Sequence, residues 1–292
     1  MIVITGSESF VGRELITQCK KKSIDLIGLD IVDKKISDYE YHNIDIKSSK
    51  LNDYIPEKCN AVIHLAALSR DPDCKGKSYE CFDNNVMGTL NLIKCAKEKN
   101  VNQFIFASSE WVYDEFRDNE EKDENSPIDI TNHTSEYALS KLVSESNLRQ
   151  QYNLGFCSTT ILRFGIIYGP RKNNWSAVES ICSQVKNKTQ VTIGSLKNGR
   201  RFVHVSDIAT GIIDSLGLEG FNIINLTANK VITLKEIIDA SQEIFNKNIE
   251  VVENTPNQIS IRNPSNSKAK QLIKWEPKID LKSGLESLVP FV

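Results

Sequence analysis

The chain has 292 residues, 40% of them hydrophobic and 25% charged, with 36 basic against 38 acidic side chains and a formal net charge of −2. That length allows one large or two modest domains, and the near-balance of charge leaves no basic surplus for nucleic acid. No apolar stretch approaches the ~18 residues that argue for a membrane span; the seven cysteines form no CxxC pair, which argues against a metal site and for reduced thiols in a cytoplasm.

The first segment, Met1-Ile2-Val3-Ile4-Thr5-Gly6-Ser7-Glu8-Ser9-Phe10-Val11-Gly12, passes from an apolar run through a turn into a helical pattern carried by Leu15, Ile16 and Cys19. A strand starting at residue 2 leaves no room for a signal peptide before it. In such a strand–turn–helix, backbone N–H groups and the helix N-terminus can hold a pyrophosphate. The next apolar run ends at Asp30, eighteen residues after Gly12. An acid there accepts hydrogen bonds from the adenosine ribose and repels a 2′-phosphate, which favours NAD over NADP. Serine stands at position 9, where a middle glycine would let the backbone approach the phosphates.

Strand-like and helix-like runs then alternate: a buried strand at 61–66, a helix at 85–99, a strand at 104–109, a helix at 136–151 and a strand at 158–164. Alternation of this kind means βαβ units, hence an α/β fold with a doubly wound, Rossmann-like parallel sheet. Ligands of such sheets lie beyond the strands' carboxyl ends, where Ala66-Ala67, Ser108-Ser109 and Phe164-Gly165 fall. The polar run 114–125 reads as a solvated loop, and 186–188 and 197–201 as charged turns in a smaller second lobe. His64 and His204 sit in apolar patterns and read as structural.

The helix at 136–151 carries Tyr137 and Lys141, four apart and on one face. A phenol of ordinary pKa near 10 is a poor base at neutral pH. A neighbouring ammonium and a cationic cofactor ring favour the phenolate. Lowering the pKa to about 7 takes roughly 4 kcal/mol of differential interaction. Such a tyrosine exchanges a proton with a sugar hydroxyl while a hydride leaves the carbon.

Taken together, TGSESFVG at 5–12, HLAALS at 64–69, DNNVMGTLNLI at 83–93, FASSEWVY at 106–113, YALSK at 137–141, LRFGIIYGPR at 162–171 and GRRFVHVSDIATGI at 199–212 resemble the extended short-chain dehydrogenase/reductases of the NAD-dependent epimerase/dehydratase type. In motif style they are nearest to UDP-glucose 4-epimerases. The resemblance implies an NAD-binding Rossmann domain over 1–165, rejoined by segments around 200–225, and a substrate lobe over 166–292. It places Gly6, Ser9, Phe10, Val11 and Gly12 around the pyrophosphate, Asp30 on the adenosine ribose, Asp45 and Ile46 beside the adenine, and Leu65, Ala66, Ala67 and Ser69 along the ribose and phosphates. Asn85, Ala107, Ser108 and Phe164 complete the cofactor side.

By the same resemblance Ser109, Tyr137 and Lys141 are catalytic. Ser109 holds the reacting oxygen, and Lys141 binds the nicotinamide ribose and depresses the Tyr137 pKa. Ser109, Glu110, Trp111, Arg200 and Arg262 face the substrate, a nucleoside diphosphate sugar whose two phosphates suit two guanidinium groups. Arg201 stands where the family usually has an acid and is open between substrate and solvent. Gly165 replaces a sugar-nucleotide-binding Asn, and Ser265 stands where an acid often follows the second arginine. A dehydratase needs an acidic pair after the catalytic hydroxyl, whereas here Glu110 is followed by Trp111. The implied reaction is NAD-dependent 4-epimerisation, with a 4-ketoreductase or a nucleotide-binding scaffold as alternatives. Helices 85–99 and 136–151 are the implied homodimer contacts.

Overall fold

The structure, a computed structural model, describes residues 1–34, 37–117, 120–173 and 175–292. Two compact units divide the chain. The first comprises Met1–Asp114, Pro127–Arg163 and Ala209–Ile224, the second Glu115–Ser126, Phe164–Ile208 and Asn225–Val292. The division expected after residue 165 therefore falls at Arg163, and the returning segment is 209–224.

In the first unit the order is β1 (Ile2–Thr5), α1 (Phe10–Lys21), β2 (Leu26–Asp30), β3 (Glu40–Asn43), β4 (Ala61–His64), α2 (Asp71–Cys74), α3 (Ser78–Phe82), α4 (Gly88–Glu98), β5 (Gln103–Ser109), α5 (Glu136–Asn153) and β6 (Ser158–Phe164). Among the described residues these strands and Phe221–Leu226 make a seven-stranded sheet, with Phe221–Leu226 at one edge followed by β6, β5, β4, β1, β2 and β3. β1 runs parallel to β2 and β4, β2 to β3, and β4 to β5. Reversal of strand order beside β1 creates the switch point at which doubly wound sheets bind ligands. Unbroken burial along β1, β4 and β5 explains their continuous rather than alternating hydrophobicity: both faces are covered. On α1 the buried positions are Gly12, Leu15, Ile16 and Cys19, one stripe at helical spacing.

The helix expected over 85–99 begins differently. A five-residue π-helical turn, Asp83–Met87, precedes α4, and such turns recur at functional sites because they re-aim a side chain. Asn85 is buried within this turn.

The second unit has its own core, in which Val178, Ile181, Val185, Ile237, Ile238 and Leu285 are buried. Its strands include Gly199–Arg200 between Ile232–Thr233 and Ile261–Arg262. Two charged stretches differ from the sequence-based expectation. Lys186 lies in the helix Ala177–Asn187, and within 197–201 Gly199–Arg200 is a strand. The run 114–125, whose Asp118 and Asn119 lie outside the described residues, is not simply solvated: Lys122 is 7% exposed. Its N–H donates to the Asn263 carbonyl at 3.2 Å, and its carbonyl accepts from Ser265 at 2.8 Å. Partners at 263–265 satisfy this backbone, which is how a polar segment becomes buried.

Candidate active site

A glycine turn follows β1. Gly6 has φ +71°, and a Cβ there would stand 2.6 Å from the Ala66 nitrogen; at Gly12 it would stand 2.3 Å from the Gly6 carbonyl oxygen. Both positions require glycine, and both bring bare backbone to the crevice. Ser9 caps α1, accepting from the Gly12 N–H at 3.1 Å, so the serine that departs from the glycine pattern has a structural role. Asp30 ends β2 and accepts from the N–H of Glu8 at 2.9 Å and of Val32 at 3.1 Å. Its carboxylate is oriented by backbone and keeps lone pairs for further donors. A tight glycine turn, a helix N-terminus and an oriented acid fit a dinucleotide.

A directed chain of hydrogen bonds ties this turn to the next strand end. Thr89 donates to the Asn85 carbonyl at 2.6 Å, so the His64 Nε2 contact with Thr89 Oγ1, at 2.9 Å, has the imidazole as donor. Burial, and secondarily Lys141, pushes His64 down to about 3, so the ring is neutral and Nδ1 accepts from Thr5 Oγ1 at 2.7 Å. The Ala66 N–H reaches Thr5 Oγ1 at 3.5 Å. Asn85 extends the tie. Its amide accepts from Leu68 N–H at 2.8 Å and donates to Leu68 O at 3.0 Å and to Ser140 Oγ at 2.9 Å. The segment carrying Leu65, Ala66 and Ala67 is thereby joined to α5. Ser69 and Asp45 are exposed, and Ile46 packs in the core.

Ser109 ends β5, and its hydroxyl accepts from Trp111 N–H at 3.2 Å. Tyr137 and Lys141 are both buried on the first turns of α5, which Ser135 caps through Ala138 N–H at 3.1 Å. Tyr137 packs with Cys74 and Cys81, and Leu68 and Trp111 line the same cluster. The protein's own groups push the phenol up to about 12. Burial is the main cause, a hydrogen bond from Ser109 opposes it, and Cys74 and Cys81 add to it. This is opposite in direction to the lowering expected from Lys141, which is not among the groups acting on the phenol. The Lys141 ammonium instead donates to the Ala107 carbonyl at 2.8 Å and lies 4.8 Å from the Phe106 ring centroid. Burial pushes it down to about 8, against the opposing charges of Cys81, Cys74 and Glu145.

Below this set lies an ion pair that sequence reading does not single out. Arg163 Nε and Nη2 grip Glu145 at 3.0 and 2.6 Å, and Ser108 Oγ donates to Glu145 at 2.5 Å. The two charged side chains are 4% and 5% exposed, and the guanidinium carbon lies 4.8 Å from the Tyr113 ring centroid. Glu145 is one turn beyond Lys141, and Ser108 precedes Ser109, so the pair braces α5 against β5 and β6. Arg163→Ala leaves a buried carboxylate uncompensated and is expected to lower unfolding free energy by about 3–5 kcal/mol. Urea titration checks this, and a loss under about 1 kcal/mol would contradict the bracing role.

In the second unit Arg200 and Arg262 are register partners on adjacent parallel strands. Arg200 donates to Ser260 O at 2.6 Å and Ser260 Oγ at 3.0 Å, and Arg262 lies 4.9 Å from the Phe116 ring centroid. Like charges directly opposite are unfavourable on a bare sheet, whereas an anion reverses the sign. Arg201 is not the solvent-facing charge that one of its two readings makes it. At 6% exposed it bonds Asn263 Oδ1 at 2.7 Å, Ala228 O at 3.2 Å and Glu121 at 2.6 Å, clamping three segments of its own unit. Gly165 is equally constrained, because a Cβ there would stand 2.8 Å from the Arg201 carbonyl oxygen. Glu110 is fully buried, Trp111 is half-buried, and Phe164 ends β6 at 8% exposed. His204 accepts from Ser206 N–H at 3.2 Å. No group of metal ligands occurs among the described residues.

The model of the NAD dependent epimerase/dehydratase family matches residues 2–225, and the chain belongs to that family. It is 28% identical to a putative UDP-glucose 4-epimerase of Methanocaldococcus jannaschii, over 99% of this chain and 97% of that one. It is 25% identical to the UDP-glucuronate 4-epimerase of Thermodesulfobacterium geofontis, over 98% and 94%. Among solved structures, the UDP-glucose 4-epimerase of Thermus thermophilus in complex with NAD shares the fold, with TM-score 0.85 and 23% identity over 99% of this chain and 98% of that one.

Proposed function

We propose that this chain is an NAD-dependent epimerase that inverts C4 of a nucleoside diphosphate hexose. The observation that carries the reading is the gathering of Ser109, Tyr137 and Lys141 at the end of β5 and the start of α5, in the same unit as the nucleotide turn. The near-full-length likeness to relatives named as 4-epimerases supports it. NAD, when bound, supplies a reversible hydride acceptor and a positively charged ring. Tyr137 takes the proton of the C4 hydroxyl and later returns it, while Ser109 hydrogen-bonds the same oxygen. Because the protein's own groups hold the phenol high, the positive ring of bound NAD would have to stabilise the phenolate, while Lys141, bonded to Ala107, would hold the nicotinamide ribose.

Gly6, Gly12 and α1 hold the pyrophosphate, and Asp30 the adenosine ribose. Arg200 and Arg262 grip the sugar nucleotide's diphosphate. Glu110 without a second acid at Trp111 favours epimerisation over dehydration. No helix among the described residues is long and apolar enough to cross a membrane. The free cysteines suit a cytoplasmic enzyme, and α4 and α5 are the faces through which it would form a homodimer.

The test is incubation of purified protein with UDP-, dTDP-, GDP- and CDP-hexoses, reading sugars by proton NMR and the cofactor released on denaturation. Bound NAD and interconversion at C4 are expected. Protein that acts only with added NADPH on a 4-keto sugar would be a reductase instead.

A further inference from the structure

Charged side chains gather where β2 ends, beyond what the catalytic reading uses. The Glu8 carboxylate, 10% exposed, is 2.8 Å from Lys34 Nζ and 3.4 Å from Arg13 Nε, and it accepts from the Tyr39 hydroxyl at 2.6 Å. Lys34 Nζ also lies 4.5 Å from the Tyr39 ring centroid and 5.7 Å from that of Tyr41. Burial pushes the Glu8 carboxyl up, but its hydrogen bonds to Lys34 and Tyr39 outweigh this and hold it below the usual range. The backbone N–H of the same residue donates to Asp30, so Glu8 both orients the ribose acid and occupies the nearby cations. Asp38 is paired with Lys20 and acts more weakly on Lys34.

The Glu8 N–H bonded to Asp30 sets this cluster beside the acid that would hold the ribose hydroxyls. A cation near that point is what accommodates a 2′-phosphate in dinucleotide folds. Among the described residues two cations, Lys34 and Arg13, stand near it, and Glu8 pairs with both. A neutral side chain at position 8 therefore removes the acid that the two cations share.

We propose that Glu8 is a cofactor-specificity residue, which excludes NADP by sequestering Lys34, and to a lesser degree the exposed Arg13, from a 2′-phosphate. This rests on the reading of the turn as an NAD site. The step is one of recognition only, with no bond made or broken.

The experiment is competition loading. Protein is equilibrated with equal, saturating NAD and NADP, free nucleotide is removed, and the bound nucleotides are released by heat and quantified. Glu8→Gln keeps the side chain's shape and an acceptor for Tyr39. It is expected to raise the bound NADP:NAD ratio by about tenfold, the size of one modest ionic contact. Glu8→Ala repeats the test with no acceptor at that position. In Glu8→Gln/Lys34→Ala the gain is expected to disappear.

A rise of less than threefold in both single variants overturns the proposal, as does a gain that survives removal of Lys34. Parent protein that binds neither nucleotide would instead overturn the NAD reading, and the role of Glu8 with it.

Discussion

Tyr137→Phe lowers the rate of C4 inversion by roughly 10³-fold, within the range for removal of a general acid–base group, while NAD remains bound. The substitution deletes one oxygen from a buried ring whose neighbours are Cys74, Cys81, Leu68 and Trp111. The packing survives and only the proton carrier goes. Ser109 keeps its bond to Trp111 N–H, so the site's architecture is retained. Turnover by proton NMR together with bound NAD after denaturation checks both halves. A variant within tenfold of the parent would remove Tyr137 from the chemistry.

Lys141→Met has two effects of opposite sign: it abolishes turnover and it stabilises the fold at neutral pH. The folded Lys141 sits at about 8, against about 10.4 for an unperturbed lysine. Between those values the unfolded chain holds a proton that the folded chain does not, so this group makes stability rise with pH. Below pH 8 the burial of the ammonium costs up to about 3 kcal/mol, at 1.36 kcal/mol per pH unit. Methionine removes that cost and also the hydrogen bond to Ala107, a loss of about 1–2 kcal/mol. The net expected gain at pH 7 is about 1–2 kcal/mol, or a Tm several degrees higher, and it shrinks as pH rises from 8 toward 10.4. Thermal melts at pH 7 and pH 10, after removal of bound nucleotide, read this directly. A lower Tm at pH 7 would show that the lysine is structural. The expected pattern is that of an active site kept at the expense of stability.

Parts of this architecture are legible from residues alone. The turn after β1 announces itself because glycine and apolar spacing are local signals, and the strand 158–164 has the bounds read from its pattern. Tyr137 and Lys141 stand out because a four-residue interval on one helix is also local. What stays hidden depends on distant partners. Arg201 sits in a charged run that reads as a turn, and only Glu121, Ala228 and Asn263 make it a buried clamp. Glu145 and Arg163 look ordinary one at a time, since neither shows that the other satisfies it. The π-helical turn at Asp83–Met87 leaves no mark in a periodicity count, because one extra residue shifts the phase without breaking the helix. The rise of the Tyr137 pKa is invisible there too, because motif spacing says nothing about burial.

The hydrogen-bond chain through His64 has one direction: Ala66 to Thr5 to His64, and His64 to Thr89 to Asn85. A proton added to the ring would make both nitrogens donors and leave two hydrogens facing each other at Thr5. The fold resists this down to about pH 3, whereas an unfolded histidine accepts the proton near 6.5. The sign follows: below about 6.5 the unfolded chain binds a proton that the folded one refuses, and each further unit of acid removes about 1.4 kcal/mol of stability. The residue that aligns the end of β1 thus makes the protein less stable in acid. Urea titrations at pH 7 and pH 5 should therefore show a stability lower by about 2 kcal/mol at pH 5 from this group.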